Sequence, residues 1–452
     1  MYRSQYEDAS FKLGLAGDCL LTRRLSVFTE PEYLQLRQIL NEADATFANL
    51  EGPVNRYFAR PFSQRQGGGT YMTIDPALLP DLKWLGVNML ACGSSHSDDY
   101  GQAGIMDTMN YLDQAGIVHA GSGRHLAEAR SPSYLDTANG RVALIAANAQ
   151  FNPGARAGEA RYDSNGHPGV NAIRQQSVVV VSESRMDQIR QVGAELGLDT
   201  DSKRRANQGE SVIDGDTTYE FLNHRFTVGS PPGVRNVADE RDVSANLYRV
   251  EEAREFADYV VVSLHCHEQG GPSMMTASKR SEVSDIADFA IDFGRRCIDS
   301  GADVFVAHGP QVPLGIEIYK GKPIFHGLGT FIFELETIQN LPAEAYERFD
   351  LADRATPRDF IRGRYRNDTV GHTSDPLQWR QMFTTCDFVR GELQEIKIYP
   401  IDLGFESPRS QRGRPMLAKG QMANEILHRV SELSNMYGTK VTLQDGIGVI
   451  RP

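Results

Sequence analysis

Residues 301–334 read GADVFVAHGPQVPLGIEIYKGKPIFHGLGTFIFE, and their pattern predicts three short strands separated by turns. The apolar run 304–307 has the length and the β-branched composition of a buried strand, and it stops at His308. Two further strands are predicted over 314–319 and 324–327. Ligands collect where the strands of α/β sheets end and loops begin, so His308 is the first candidate site residue.

Four other apolar segments are also followed by residues that can bind metal ions. These residues are Asp18 after 13–16, Glu51 after 45–50, His96 after 87–92 and His265 after 259–264. Imidazole and carboxylate ligands together suit Zn, Mn or Fe(II), and such a set could hold one or two divalent ions.

Composition and charge exclude several classes of protein. The chain of 452 residues carries a net charge of −12, and an acidic surface repels the phosphates of nucleic acids. Its five cysteines are scattered without a C-x-x-C pair, which is typical of a reduced, cytoplasmic protein. No apolar signal-peptide core and no apolar segment of transmembrane length occurs, so we expect a cytoplasmic protein without a membrane anchor.

The predicted elements alternate between strand and helix, which favours a layered α/β fold in one large domain, 1–452. Two stretches, 148–250 and 335–379, interrupt this alternation. The first is long, polar and rich in glycine, so we expect an insertion or lid that covers the site and selects the substrate. Residues 380–452 predict a hairpin, a helix and a final strand packed on the core. A continuous helix is predicted over 279–299.

Several motifs, taken together, resemble those of the capsule-synthesis CapA family, also called the poly-γ-glutamate biosynthesis family. The matching segments are 17–18 (GD), 49–53 (NLEGP), 94–101 (SSHSDDYG, similar to NNHxxDYG), 263–266 (SLHC, similar to SxHWG), 301–312 (GADVFVAHGPQV, similar to GADxVxGHHPHV) and 321–325 (GKPIF). The resemblance implies the calcineurin-like metallophosphoesterase fold, an α/β/β/α sandwich with a long insertion and a C-terminal hairpin plus helix. The family includes proteins of polyglutamate capsule assembly, probable hydrolases and peptide epimerases.

The sequence departs from the family motifs at positions that bear on the metal site. Ser94 and Ser95 stand where the family has two asparagines, one of which is a metal ligand. Gly309 and Gln311 replace two histidines, and His326 replaces a tyrosine. The resemblance therefore leaves open whether the site holds one ion, holds two ions with altered ligands, or has changed its chemistry.

The residue pattern and the resemblance together assign roles to the candidate residues. The predicted ligands of a divalent ion, Mn or Zn first and otherwise Mg or Ca, are Asp18, Glu51, Ser95, His96, His265 and His308. The predicted catalytic residues are His96 as proton donor, Asp18 and His308. The predicted substrate contacts are His267, Glu268, Asn171, Gln311 and His326. Asp99 is predicted to orient His96 through a hydrogen bond.

Three classes of function remain open: a metal-dependent hydrolase, a metal-dependent peptide or amino-acid epimerase, and a non-catalytic accessory in polyglutamate or capsule handling. We predict a hydrolase of an amide or peptide-like bond, γ-glutamyl bonds included, in a small-molecule or peptide substrate. Phosphoester cleavage is disfavoured because two-metal phosphoesterases use a denser histidine set, and no P-loop or arginine-rich cluster lies at the motifs. An epimerase would instead use two proton-transferring groups on opposite faces of a carbon beside a carbonyl.

Overall fold

The computed structural model describes residues 10–61, 70–209, 217–270 and 277–452. In chain order the strands are β1 (Ser10–Leu20), β2 (Ala45–Leu50), β3 (Met89–Ala91), β4 (Val118–Ala120), β5 (Ser122–Gly123), β6 (Ser133–Thr137), β7 (Gly140–Asn148), β8 (Gly169–Val170), β9 (Gln175–Val181), β10 (Thr218–Phe221), β11 (His224–Val228), β12 (Gly233–Ala238), β13 (Tyr259–His265), β14 (Val304–His308), β15 (Ile316–Tyr319), β16 (Lys322–Phe325), β17 (Thr330–Phe333), β18 (Arg380–Val389), β19 (Glu392–Asp402), β20 (Met416–Leu417), β21 (Thr442–Gln444) and β22 (Ile447–Ile450). The helices are α1 (Pro31–Asn41), α2 (Leu79–Leu85), α3 (Gly101–Ala115), α4 (Leu126–Arg130), α5 (Glu183–Glu195), α6 (Leu198–Asn207), α7 (Glu240–Phe256), α8 (Asp288–Asp299), α9 (Ala343–Glu347), α10 (Pro357–Arg364) and α11 (Gly420–Asn435).

The larger sheet takes its strands from both ends of the chain. β2, β3 and β4 follow β1 on one side in parallel, and the hairpin β18–β19 lies antiparallel on the other side. β18 accompanies only the first half of β1, so the second half is available to β17, which pairs with it in parallel. β17 is the last strand of the 301–334 stretch. It therefore lies directly beside β1, the strand that carries Asp18.

The second large sheet runs in the order β15–β16–β14–β13–β7–β6. Its central strands β7, β13, β14 and β16 are parallel to one another. β13 and β14 are buried along their whole length, which is expected of parallel strands that are covered on both faces. This burial explains why both strands read as continuous apolar runs in the sequence.

The two large sheets pack face to face, with helices on the outer faces. Successive side chains of a strand point to opposite faces, so in β13 Val261 enters the core between the sheets. Val260 and Val262 enter the outer core, which also contains Val250 of α7 and Phe293 of α8. Side chains of α1 and α2 form the corresponding outer core of the larger sheet. The four layers confirm the predicted α/β/β/α sandwich.

The last helix, α11, joins the two halves of the sandwich. Leu427 and Val430 lie in the core between the sheets, and Leu433 lies in the outer core of the second sheet. In the described part of the chain, no helix combines the length and the apolar character that crossing a bilayer requires.

The helix predicted over 279–299 begins later than predicted, at Asp288. Residues 280–282 form a single 3-10 turn, closed by the Glu282 carboxylate, which accepts hydrogen bonds from the backbone N–H groups of Ser278 and Lys279. Val283 and Ile286 then pack in the outer core, so the chain follows that core before the helix begins. Lys279 and Arg280 consequently lie on a loop.

Residues 148–250 contain a small sheet of their own. β9 lies between β11, which is parallel to it, and β12, which is antiparallel, and β10 pairs with β11. The helix α7, at the end of this stretch, returns the chain to the outer face of the second large sheet. The role of 148–250 as a lid stays a prediction.

Candidate metal centre

The candidate site lies where the carboxyl ends of the parallel strands of both sheets meet. In the larger sheet, Asp18 of β1 and Asn49 of β2 are register partners. In the second sheet, His265 of β13 and His308 of β14 are register partners. All four side chains are buried. Residues from distant parts of the chain thus converge because parallel strands deliver their carboxyl ends to one edge.

Asn49 links the two sheets at this edge. Its Nδ2 donates hydrogen bonds to Asp18 Oδ1 at 2.8 Å and to Glu51 Oε2 at 3.0 Å, and it lies 3.4 Å from His265 Nδ1. Asn49 is not among the site residues that the sequence predicts. The available signal was its position two residues before Glu51, because alternate residues of an extended chain point to the same side.

Glu51, His265 and His267 form a group of potential ligands, and their ligand atoms all lie within 4.8 Å of one another. Glu51 Oε2 lies 3.7 Å from His265 Nδ1. The rings of His265 and His267 meet edge to face, with centroids 5.0 Å apart. His267, predicted as a substrate contact, is therefore placed beside two of the predicted ligands.

His96 approaches the same carboxylate from the loop that follows β3. Its Nε2 lies 3.9 Å from Glu51 Oε1, and Ser95 Oγ lies 3.5 Å from that oxygen. Its Nδ1 lies 2.7 Å from Asp99 Oδ2, which also accepts a hydrogen bond from the backbone N–H of Met72. The Asp99 carboxylate thus holds the ring with Nδ1 toward itself and Nε2 toward Glu51.

His308 is enclosed, with its Nε2 3.1 Å from Ser263 Oγ and its Nδ1 3.8 Å from Asp18 Oδ1. Burial lowers the pKa of His308 to about 3, so the imidazole is neutral, the form that binds metal ions. Burial raises the pKa of Asp18 well above its ordinary value, and the charge of Glu51 raises it further. The hydrogen bond from Asn49 and the charge of Arg280 act in the opposite direction on that pKa.

This donor set fits a divalent metal ion. Asp18 Oδ2, Asn49 Oδ1 and His308 Nδ1 are buried atoms that have no hydrogen-bond partner among the described residues. Buried polar atoms without partners are rare because their desolvation is costly, and a bound cation would satisfy them. A cation would also offset the repulsion between the carboxylates of Asp18 and Glu51. Mixed carboxylate and imidazole ligands suit Mn or Zn.

The departure from the family motif at position 309 has a cause in the backbone. Gly309 has a φ of +124°, and a Cβ atom there would lie 2.3 Å from the carbonyl oxygen of Cys266. A histidine therefore cannot replace Gly309 unless the loop moves. Gln311, at the position of the other family histidine, has a φ of +63° and lines a cavity beside the site.

Three predicted substrate contacts lie in other surroundings. Glu268 accepts a hydrogen bond from Gln175 of β9 at 3.0 Å. Asn171 donates one to Asn246 of α7 at 2.7 Å and is fully buried. His326 is also fully buried, stacks on a tyrosine ring and contacts a glutamate. These three are not among the described residues that line the cavity, and their role in substrate binding stays a prediction.

The cavity has a volume of about 680 Å³. The metal centre contributes His96 and His267 to its lining, and the segments 278–280 and 364–378 contribute a larger share. From 148–250, the described lining includes Gln150. The second of the two irregular stretches, 335–379, therefore forms much of the wall that a bound molecule would meet.

Comparisons with known proteins relate the chain to a family of bacterial capsule synthesis proteins. Residues 12–335 match the family model described as bacterial capsule synthesis protein PGA_cap. The uncharacterized protein y4sH of Sinorhizobium fredii is 31% identical, over 98% of this chain and 93% of that protein. A probable polyglutamine synthesis accessory protein of Mycobacterium tuberculosis is 25% identical, over 58% of this chain and 50% of its own length. The PGA biosynthesis protein CapA of Bacillus subtilis is 21% identical, over 73% of this chain and 65% of its own length.

Proposed function

This chain belongs to the bacterial capsule synthesis protein PGA_cap family, and from that premise we propose that it is a metal-dependent hydrolase of an amide or peptide-like bond. One observation carries the proposal: buried carboxylate and imidazole side chains, with ligand atoms of Asp18 and His308 left unsatisfied, form one cluster with His96 and His267, which line a cavity of about 680 Å³. Asp18, Glu51, His265 and His308 would hold the ion. A bound divalent ion lowers the pKa of water and polarises a carbonyl group.

The chain's own residues supply the remaining chemistry. His96 lines the cavity, and its contact with Asp99 keeps the ring in one orientation. A histidine held in this way can carry a proton to the leaving nitrogen of a bond placed in the cavity. Asn49 holds the carboxylates of Asp18 and Glu51 in place through its two hydrogen bonds. These contacts support a fixed arrangement into which the substrate enters.

The names of relatives support a glutamyl amide as the substrate. One relative is named for PGA biosynthesis and another for polyglutamine synthesis. A γ-glutamyl bond is an amide and falls within the proposed reaction class. The five cysteines are free and buried, which supports the cytoplasmic location expected from the sequence.

A non-catalytic accessory role is the second candidate, and it rests on the word accessory in the name of the Mycobacterium tuberculosis relative. An accessory protein could keep the metal centre for binding alone. The two candidates therefore differ in turnover and not in metal content.

Metal content tests the site first. We expect protein purified without chelator to contain Mn or Zn, and we expect the variants Asp18→Ala and His308→Ala to lose it. His119→Ala is the matched control, because His119 contacts Asp113 away from the site. Equal metal content in the parent and in both site variants would show that the site is wrongly placed.

Turnover tests the reaction. The metal-loaded protein is incubated in deuterated water with γ-glutamyl peptides, α-peptides and a generic phosphodiester, and product mass and chirality are followed together. We expect cleavage of at least one peptide without deuterium at its chiral carbon. Deuterium at that carbon would indicate an epimerase, phosphodiester turnover with inert peptides would indicate a phosphoesterase, and bound metal without turnover would favour the accessory role.

A further inference from the structure

We propose that Lys279, Arg280 and Arg364 form a subsite for an anionic oxygen group, a carboxylate or a phosphate, on the molecule that enters the cavity. The inference rests on the proposed function in one respect, namely that this molecule is the substrate of the metal centre. The subsite would act on a part of the substrate other than its reacting bond. It would thus select molecules that carry a negative charge at a distance from that bond.

The three cationic side chains share one cavity with the metal centre. Lys279 and Arg280 reach it from the loop before α8, and Arg364 reaches it from the end of α10. Ser95, His96 and His267 line the same cavity. A ligand held by the cationic group therefore lies in the space that the metal centre borders.

Carboxylates act on this group from a distance: Glu51 and Asp18 on Arg280, and Glu282 on Lys279. Among the described residues, Lys279, Arg280 and Arg364 form no salt bridge. Arg280 Nη1 donates a hydrogen bond to the carbonyl oxygen of Gly309 at 3.3 Å. The guanidinium of Arg364 lies 5.4 Å from the ring centroid of Tyr365.

Asp375 is the acidic residue in the described lining, and its carboxylate is already engaged. Its Oδ2 accepts hydrogen bonds from Ser281 Oγ at 2.5 Å and from Gln378 Nε2 at 3.2 Å. The Asp375 carboxylate thus links segment 364–378 to Ser281, the residue that directly follows segment 278–280. It does not neutralise the three cations.

Arg280 and Arg364 also act on each other. Much of Arg280 is open to the cavity solvent, yet the protein atoms around its guanidinium lower its pKa by desolvation. The charge of Arg364 lowers that pKa further, whereas the charges of Glu51 and Asp18 raise it. Two guanidinium groups that repel each other at one cavity are stabilised when an anion binds between them. Their planar donor groups match the geometry of carboxylate and phosphate oxygens.

Direct binding to the metal-free full-length chain tests the subsite without any contribution from the metal ion. Calorimetric titrations use glutarate, inorganic phosphate and the neutral analogue glutaramide. We expect glutarate or phosphate to bind in a salt-dependent manner and glutaramide not to bind. Saturation by glutarate alone would assign a carboxylate, and saturation by phosphate alone would assign a phosphate group.

Two variants test which residues bind the anion. We expect Arg280→Met and Arg364→Met each to weaken anion binding about tenfold to a hundredfold, the loss for a charge-assisted hydrogen bond. Arg358→Met is the matched control, because Arg358 is exposed on the same helix as Arg364 and is absent from the described cavity lining. We expect the anion affinity of Arg358→Met to stay within about twofold of the parent value. We expect Arg364→Lys, which keeps the positive charge, to retain part of the affinity that Arg364→Met loses.

The outcomes separate this inference from the proposed function. Metal content should be the same in all four arginine variants and the parent, since none of them is placed among the metal ligands. If no peptide is cleaved but anion binding depends on Arg280 and Arg364, the subsite stands and the hydrolase proposal fails. The inference is overturned if no anion binds, if glutaramide binds as well as glutarate, or if Arg358→Met weakens binding as much as Arg364→Met.

Discussion

Residues 148–250 and residues 335–379 both interrupt the alternation of strand and helix, but they take up different positions relative to the cavity. The first stretch folds around its own small sheet, β9–β12, and contributes Gln150 to the described lining. The second contains α9, α10 and several turns, and it supplies the wall segment 364–378. Two polar, irregular stretches of one chain can therefore contribute very differently to a site.

A charge cluster joins the first stretch to α4, in addition to the apolar packing of Ile173, Val243 and Val250 in the outer core. The Asp242 carboxylate of α7 is buried and lies 2.6 Å from nitrogens of both Arg130 and Arg174, and 3.9 Å from Arg156. Burial raises the pKa of Asp242, but the hydrogen bonds and charges of Arg174 and Arg130 outweigh it and leave the pKa below its ordinary value. Because the folded pKa is lowered, this stabilisation is present at neutral pH and is lost as the pH falls below the ordinary aspartate range.

Aromatic rings pack the second stretch against β17, in addition to the ion pairs of Glu336 with Arg409 and Arg412. The ring of His372 lies 4.3 Å from that of Tyr365, 4.9 Å from that of Phe333 and 5.8 Å from that of Trp379, measured between centroids. Phe333 ends β17, the strand that runs beside Asp18. The packing therefore places 364–378 next to the metal centre. A stretch attached by large buried rings to a strand of the site becomes a wall of that site.

The largest effect is expected from Asp242→Asn, which leaves the three arginines without their shared carboxylate. We expect the free energy of unfolding to fall by about 3 kcal/mol, the lower end for a broken buried pair because Arg174 is partly exposed. Denaturant unfolding measures the loss, and hydrogen exchange should locate it in β9–β12. Asp163→Asn is the matched control, since Asp163 is an exposed carboxylate of the same stretch. A loss of metal or of anion binding would contradict the separation of the two regions.

A smaller effect is expected from Tyr365→Leu, which keeps an apolar side chain but removes the ring under the Arg364 guanidinium. Loss of a cation–π contact should weaken glutarate or phosphate binding about two- to fivefold. Metal content should not change. Tyr346→Leu serves as the control, because Tyr346 contacts Phe360 in the same stretch and is not in the described lining. If both variants weaken binding equally, the effect comes from general loosening of 335–379.

The smallest effect is expected when 199–217 is replaced by a short Gly–Ser linker. From 148–250, the described lining of the cavity contains Gln150, which lies outside the replaced segment. We therefore expect anion affinity within about twofold of the parent value and unchanged metal content. The same titration and elemental analysis measure both quantities. A loss of affinity as large as that of Arg364→Met would support the lid predicted from the sequence. Such a result would reverse the comparison between the two stretches.

The strands and the candidate ligands at their ends could be predicted from the sequence because the signals are local. The apolar runs before Asp18, His265 and His308 are strands of the sandwich, and the resemblance in the motifs indicated the same fold. The helix start at 279 was predicted wrongly, since the buried Val283 and Ile286 follow the outer core instead of a helical turn. No arginine-rich cluster lies at the motifs, and Arg280 and Arg364, which line the cavity, come from segments outside them.

The sequence by itself determined which residue types stand at the ends of the strands, because a buried strand and the residue after it are neighbours in the chain. Only the tertiary structure decided that Asn49 contacts two carboxylates and that Arg280 and Arg364 meet at one cavity. These contacts join segments that are far apart in the chain, so the periodicity of apolar residues along the sequence does not predict them. They depend on how sheets, aromatic rings and loops pack, and packing brings together residues whose spacing along the chain carries no signal.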